Sequence, residues 1–78
     1  MNWNVKKIEE TEALIIIGFS KNSSFDGRIK YDKVKECFEL ISVAKDCNEF
    51  ESKRLFQFLY TLIAQNRLSY NPYSIVTG

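Results

Sequence analysis

Seventy-eight residues, 45% of them hydrophobic, 27% charged and 14% aromatic, with a formal net charge of +1, describe one small folded domain spanning residues 1–78. Large apolar side chains are too plentiful for a disordered chain, and the charge is too low for a global field that would steer the protein onto nucleic acid. A chain of this size buries only about 60% of the surface that its unfolded form exposes, so a slim stability margin is expected.

Trp3 to Ser20 fits two periods. As strands, Trp3–Glu9 and Ala13–Ser20 flank the polar connection Glu10-Thr11-Glu12, and the β-branched run Ile15-Ile16-Ile17 suits a strand buried on both faces. As a helix, Val5, Ile8, Ile15, Ile16 and Phe19 share a face, but Glu12 intrudes on it while Leu14 and Ile17 fall off it. Gly18 tips the reading toward a hairpin, because glycine weakens a helix by about 1 kcal/mol and marks bulges in strands.

Lys21 to Gly27 reads as a loop, with Asp26-Gly27 suited to the positive φ of a turn, and Arg28 to Lys30 as a short third strand. Asp32 is placed to cap a helix, since its carboxylate can accept from the free amides of a first turn. From there to Lys45, Val34, Cys37, Phe38, Leu40, Ile41 and Ala44 gather on one side of a helical wheel and Lys35, Glu36, Glu39 and Ser42 on the other, which predicts an amphipathic helix with Cys37 inside. Asn48 followed by Glu51 resembles a capping box, and a second helix is predicted from about Glu49 to Asn66. Its apolar arc, Leu55, Phe56, Phe58, Leu59, Leu62 and Ile63 widened by Tyr60, exceeds what a one-sided surface helix needs. That helix therefore lies centrally or meets another chain. Pro72 is expected to help end it, leaving residues 70–78 as an extended or frayed tail that could pair with a sheet edge.

The predicted fold is thus α+β: an N-terminal β-hairpin, with a short third strand, packed on two antiparallel helices. The alternative is a three-helix bundle in which Val5 to Phe19 forms the first helix.

Chemistry-bearing patterns are scarce. The chain has no histidine, which removes the side chain most used for proton transfer near neutral pH and the commonest metal ligand. Cys37 and Cys47 match neither a dithiol redox motif nor a zinc pattern, and Gly18, Gly27 and Gly78 fit no phosphate-binding loop. Glu9, Glu10, Glu12 and Asp26 read as a solvated acidic surface rather than a carboxylate pair. No enzyme, cofactor or metal is expected. The longest apolar run, Ala13 to Ile17, is far short of the ~20 residues that cross a bilayer, and no secretory leader pattern opens the sequence. Free thiols and a cytoplasmic protein with no membrane partner are expected.

Protein binding fits what remains. Trp3, Tyr31, Tyr60, Tyr70 and Tyr73 fall near element ends or at the margins of apolar faces, where partly exposed aromatic rings anchor interfaces. Arg28, Lys30, Lys53 and Arg54 are the candidate electrostatic contacts, and the Phe25–Tyr31 stretch mixes rings with basic residues as single-strand binders do. The abundance of Asn, Ile, Lys, Phe and Ser matches AT-rich coding of bacterial or phage type. The expectation is a small regulator, inhibitor or immunity-type factor that occupies a site on a larger protein, with self-association also open. The alternative is a small nucleic-acid-binding regulator.

Overall fold

The hairpin reading holds at the N-terminus, and a different architecture follows it. The computed structural model describes residues 2–76. β1 (Asn2–Glu10) and β2 (Leu14–Ser20) pair antiparallel, with Val5 opposite Phe19 and Lys7 opposite Ile17. Thr11 closes the connection, its Oγ1 accepting from the amides of Ala13 and Leu14 at 3.2 Å each. The register slips between Lys7 and Glu9, and the extra residue there is Ile8.

β3 (Gly27–Asp32) pairs with β2, and β4 (Cys37–Ser42) pairs with β3. One helix follows, α1 (Glu49–Ala64), and then β5 (Tyr73–Val76), which pairs antiparallel with β1. The result is a five-stranded antiparallel sheet in the order β4-β3-β2-β1-β5, with α1 linking its two edges. Strands hold 43% of the structure and the helix 21%. A hairpin packed on two antiparallel helices is therefore wrong, and so is the three-helix bundle.

The error lies between Asp32 and Lys45. Within the helix-periodic set is a second pattern: Phe38 and Leu40 alternate with Cys37, Glu39 and Ile41, the period of a strand. Phe38 sits opposite Tyr31 and Leu40 opposite Ile29, so β4 satisfies an edge of β3 that a helix would leave without hydrogen bonds. Asp32 does cap, but it caps a turn. Its Oδ1 accepts from the amides of Val34 and Lys35 at 2.9 Å each, and Glu36, at φ 53°, reverses the chain into β4.

The second predicted helix is present, begun by the expected capping box. The Asn48 side chain accepts from the Glu51 amide at 2.7 Å, and a Glu51 carboxylate oxygen accepts from the Asn48 amide at 3.3 Å. It stops well before Pro72. Asn66, at φ 57°, takes the left-handed position, and the Arg67 amide donates to the Leu62 carbonyl at 2.8 Å. The expected tail is strand β5 up to Val76, and its last two positions lie outside the described residues. Asp26-Gly27 is not the positive-φ site either: Phe25 takes that conformation, at φ 52°.

The core lies between α1 and one face of the sheet. Trp3, Val5, Ile15, Ile17, Phe19, Ile29, Tyr31 and Ile75 meet Leu55, Leu59, Leu62 and Leu68 there. The opposite sheet face presents Asn4, Lys6, Arg28, Lys30 and Asp32, all half-buried. Two aspartates join the loops at the start of α1. Asp46 accepts from the amides of Lys21 and Asn22 at 3.2 and 2.9 Å, and Asp26 accepts from that of Lys45 at 3.2 Å.

Candidate functional site

A helix is about 10 Å across, whereas at about 4.8 Å per gap the outer strands of a five-stranded sheet lie about 19 Å apart. One helix cannot cover such a sheet, so apolar side chains on its flanks stay half-buried. This width mismatch explains the wide apolar arc of α1. Leu55, Leu59 and Leu62 point into the sheet, Phe56 and Ile63 lean toward β3 and β4, and Phe58 leans toward β5.

The β4 flank is the richer of the two. Phe38 packs against Tyr31 with ring centroids 4.7 Å apart, and stacks on Phe56 of α1 at 5.2 Å. One turn beyond Phe56, Tyr60 is 51% exposed. Ile41 is 52% exposed, beside a register slip opposite Arg28 and Ile29, and Val43 is exposed just past the strand. The outer side of β4 pairs with no strand among the described residues. Edges of this kind are normally blunted by lysine, proline, inward charge or a bulge. β4 has one bulge and a single charge, Glu39, which Lys30 approaches at 3.9 Å.

The five aromatic candidates separate. Trp3 and Tyr31 are core residues, 3% and 5% exposed. Tyr73 is half-buried on β5, and Tyr70 is exposed, with Lys7 Nζ 5.3 Å from its ring centre. Of the five, Tyr60 alone stands on the β4 flank. Phe38 and Phe56 complete that flank, and the helical pattern of the sequence places both in helix interiors. The alternation of Phe38 with Leu40 was the signal that could have placed the first of them.

The four basic candidates form no single patch. Arg28 and Lys30 lie on the sheet face away from the helix, and Arg28 donates to the carbonyls of Phe25 and Gly27. Lys53 and Arg54 are exposed on α1, across the molecule, and Lys53 pairs with Glu49 at 3.0 Å. Phe25 carries Lys6 Nζ 4.6 Å above its ring, which occupies one of the two faces a base could stack on.

Both thiols are free, but not as predicted. Cys37 is exposed on β4 rather than buried in a helix. Cys47 is half-buried beside Asp46, its Sγ 3.2 Å from Oδ1, and burial together with that hydrogen bond pushes its pKa up to about 12. A thiol so held is a poor nucleophile. No group of acidic or cysteine side chains suited to a metal ion occurs among the described residues, and no helix there is long and apolar enough to cross a membrane.

No protein-family model matches this chain, and neither a curated protein nor a solved structure matches it.

Proposed function

We propose that this is a non-enzymatic protein-binding domain that acts by taking an extended segment of a larger protein along β4. One observation carries the reading: a strand edge, Cys37–Ser42, that pairs with nothing among the described residues runs beside the half-buried rings of Phe38 and Phe56, with Tyr60 exposed one turn on and Ile41 and Val43 exposed along the edge itself. A strand added there would gain main-chain hydrogen bonds from the edge and side-chain burial from the flank, the two contributions that strand addition combines. Occupying such a segment is how a small regulator or inhibitor would act on its target. A second copy of the chain could use the same edge, which makes self-association the competing occupant.

Selection of extended peptides from a random library, followed by amide chemical-shift mapping, tests the proposal. Binders with Kd below about 100 μM should perturb residues 37–43 and 56–60 and slow amide exchange along β4. Ile41→Lys should weaken them at least tenfold without unfolding the protein, because Ile41 is exposed. Binders that map elsewhere, or that ignore Ile41→Lys, would refute the reading. Sedimentation across a wide concentration range separates the competing occupant, since pairing of β4 with β4 gives a dimer that Ile41→Lys dissolves.

A further inference from the structure

Where the β1–β2 turn, the β3–β4 turn and the end of α1 converge, the structure holds a cavity of about 310 Å³. Ile15, Ile63 and Leu68 give it apolar walls, and Lys7, Glu10, Lys33 and Asn66 surround it with polar groups. Its volume sits at the small end of the ~300–1,000 Å³ that ligand sites occupy, enough for a ring-sized molecule.

Two independent features point to the kind of molecule. The first is Tyr31, which is 5% exposed and forms part of the wall, and whose hydroxyl makes no hydrogen bond to any described residue without being sealed from solvent. A hydroxyl so placed keeps its donor free for a molecule that enters the cavity. Burial also raises its pKa, with the charge of Glu36 a second cause, which keeps the proton on the oxygen. The second is charge. Glu10 bridges two ammonium groups, Lys7 Nζ at 2.5 Å and Lys33 Nζ at 2.6 Å, and no other acid lines the cavity. One carboxylate between two cations leaves a net charge of +1 at the rim. Each ammonium has three protons and gives one to Glu10, so both retain donors for a second acceptor.

We infer that this cavity is a binding site for a small organic monocarboxylate with an aromatic or branched apolar body. The carboxylate accepts from Lys7, Lys33 and the Tyr31 hydroxyl, and the body lies against Ile15, Ile63 and Leu68. A neutral isostere keeps the apolar contacts but loses the charge-assisted hydrogen bonds, which are about twice as strong as neutral ones. A nucleotide is too large. The inference is independent of the reading of β4, because none of Lys7, Glu10, Lys33 or Asn66 belongs to that edge.

Benzoate and benzamide are suitable probes, titrated into isotope-labelled full-length protein at about 0.15 M salt, where exposed lysines are screened. Benzoate should bind saturably with Kd near or below about 1 mM, shifting amides around residues 7, 15, 31, 33, 63 and 66, and benzamide should bind at least tenfold more weakly. Tyr31→Phe, which keeps the ring and so the core, should weaken benzoate about fivefold to tenfold. Lys33→Met, at a half-exposed position, should weaken it similarly and erase the preference over benzamide. Equal affinity for the two probes overturns the inference, as do non-saturating shifts spread over lysines elsewhere or binding indifferent to both substitutions.

Discussion

Gly27 is the position where one added methyl group has the most legible consequence. An alanine Cβ there would lie 2.5 Å from both Cε1 and Cζ of Phe19, against the ~3.5–4.0 Å of an ordinary carbon contact. Phe19 is fully buried, sits opposite Gly27 in the register and is tilted against Trp3 with ring centroids 6.4 Å apart, so the ring has no free side to move toward. Overpacking of this kind costs about 1–3 kcal/mol. The φ of Gly27 is not positive, so alanine would recover about 0.4–1 kcal/mol by restricting the unfolded chain. A net loss of about 1–2 kcal/mol is expected from a total of about 4–12 kcal/mol for a chain of this length. In urea, where a domain this small has a slope of about 1 kcal/mol per M, the midpoint should fall by about 1–2 M. Gly18→Ala is the control. Its Cβ would meet Ile8 Cδ1 at 2.9 Å and Arg28 Nη1 at 3.2 Å; Ile8 is exposed and its end can swing aside, and the Arg28 contact needs to give by only a few tenths of an ångström. That variant should stay within about 0.5 kcal/mol of the parent. Phe19→Leu in the Gly27→Ala background should recover part of the loss, as a coupling above about 0.5 kcal/mol in a double-mutant cycle. A Gly27→Ala protein as stable as the parent, or a Gly18→Ala protein as damaged as Gly27→Ala, would refute the packing argument.

Hydrogen bonds from Lys33 and Lys7 lower the Glu10 pKa from 4.5 to about 2. Its contribution is therefore complete above pH ~4.5 and lost as pH falls toward ~2; discounted for an ion pair one-third exposed, it is about 1 kcal/mol. Urea midpoints measured from pH 7 to 2 should converge for the parent and Glu10→Gln across that window, and parallel curves would contradict the pairing. Asn48→Ala removes the acceptor for the Glu51 amide and should cost about 1 kcal/mol, lowering Tm by about 4–8 °C. An aromatic disulfide reagent at pH 8 should label Cys37 quickly and Cys47 only on unfolding, because a thiol with a pKa of about 12 is about one part in 10⁴ thiolate at that pH. Equal rates in the Cys37→Ser and Cys47→Ser variants would count against the Cys47–Asp46 contact.

The sequence by itself determined the features in which neighbouring residues satisfy one another. Asn48 and Glu51 began a helix by exchanging hydrogen bonds across one turn, and Asp32 was bound to cap the amides that follow it, whereas the polar break at Glu10–Glu12 only favoured a hairpin over a helix until β2 found β1 and β3. What those amides then became was decided by tertiary structure. Residues 37–42 carry both a helical and an alternating pattern, and the choice went to the strand because Ile29 and Tyr31 of β3 needed backbone partners on their outer side. The same kind of long-range pairing sets β5 against β1, 70 positions away at Ser74 and Asn4, where Ile75 lies opposite Trp3, and β4 against β3, where Phe38 packs on Tyr31, so both rings are buried although their places near element ends suggest a surface. It also created both proposed sites. The flank beside β4 exists because one helix is narrower than five strands, and the cavity exists because Lys7, Lys33 and Asn66, distant in sequence, meet at one end of the sheet. The alternation of Phe38 with Leu40 is the one local trace of the flank, and the cavity has none, since a site assembled across strands is specified by register and not by spacing.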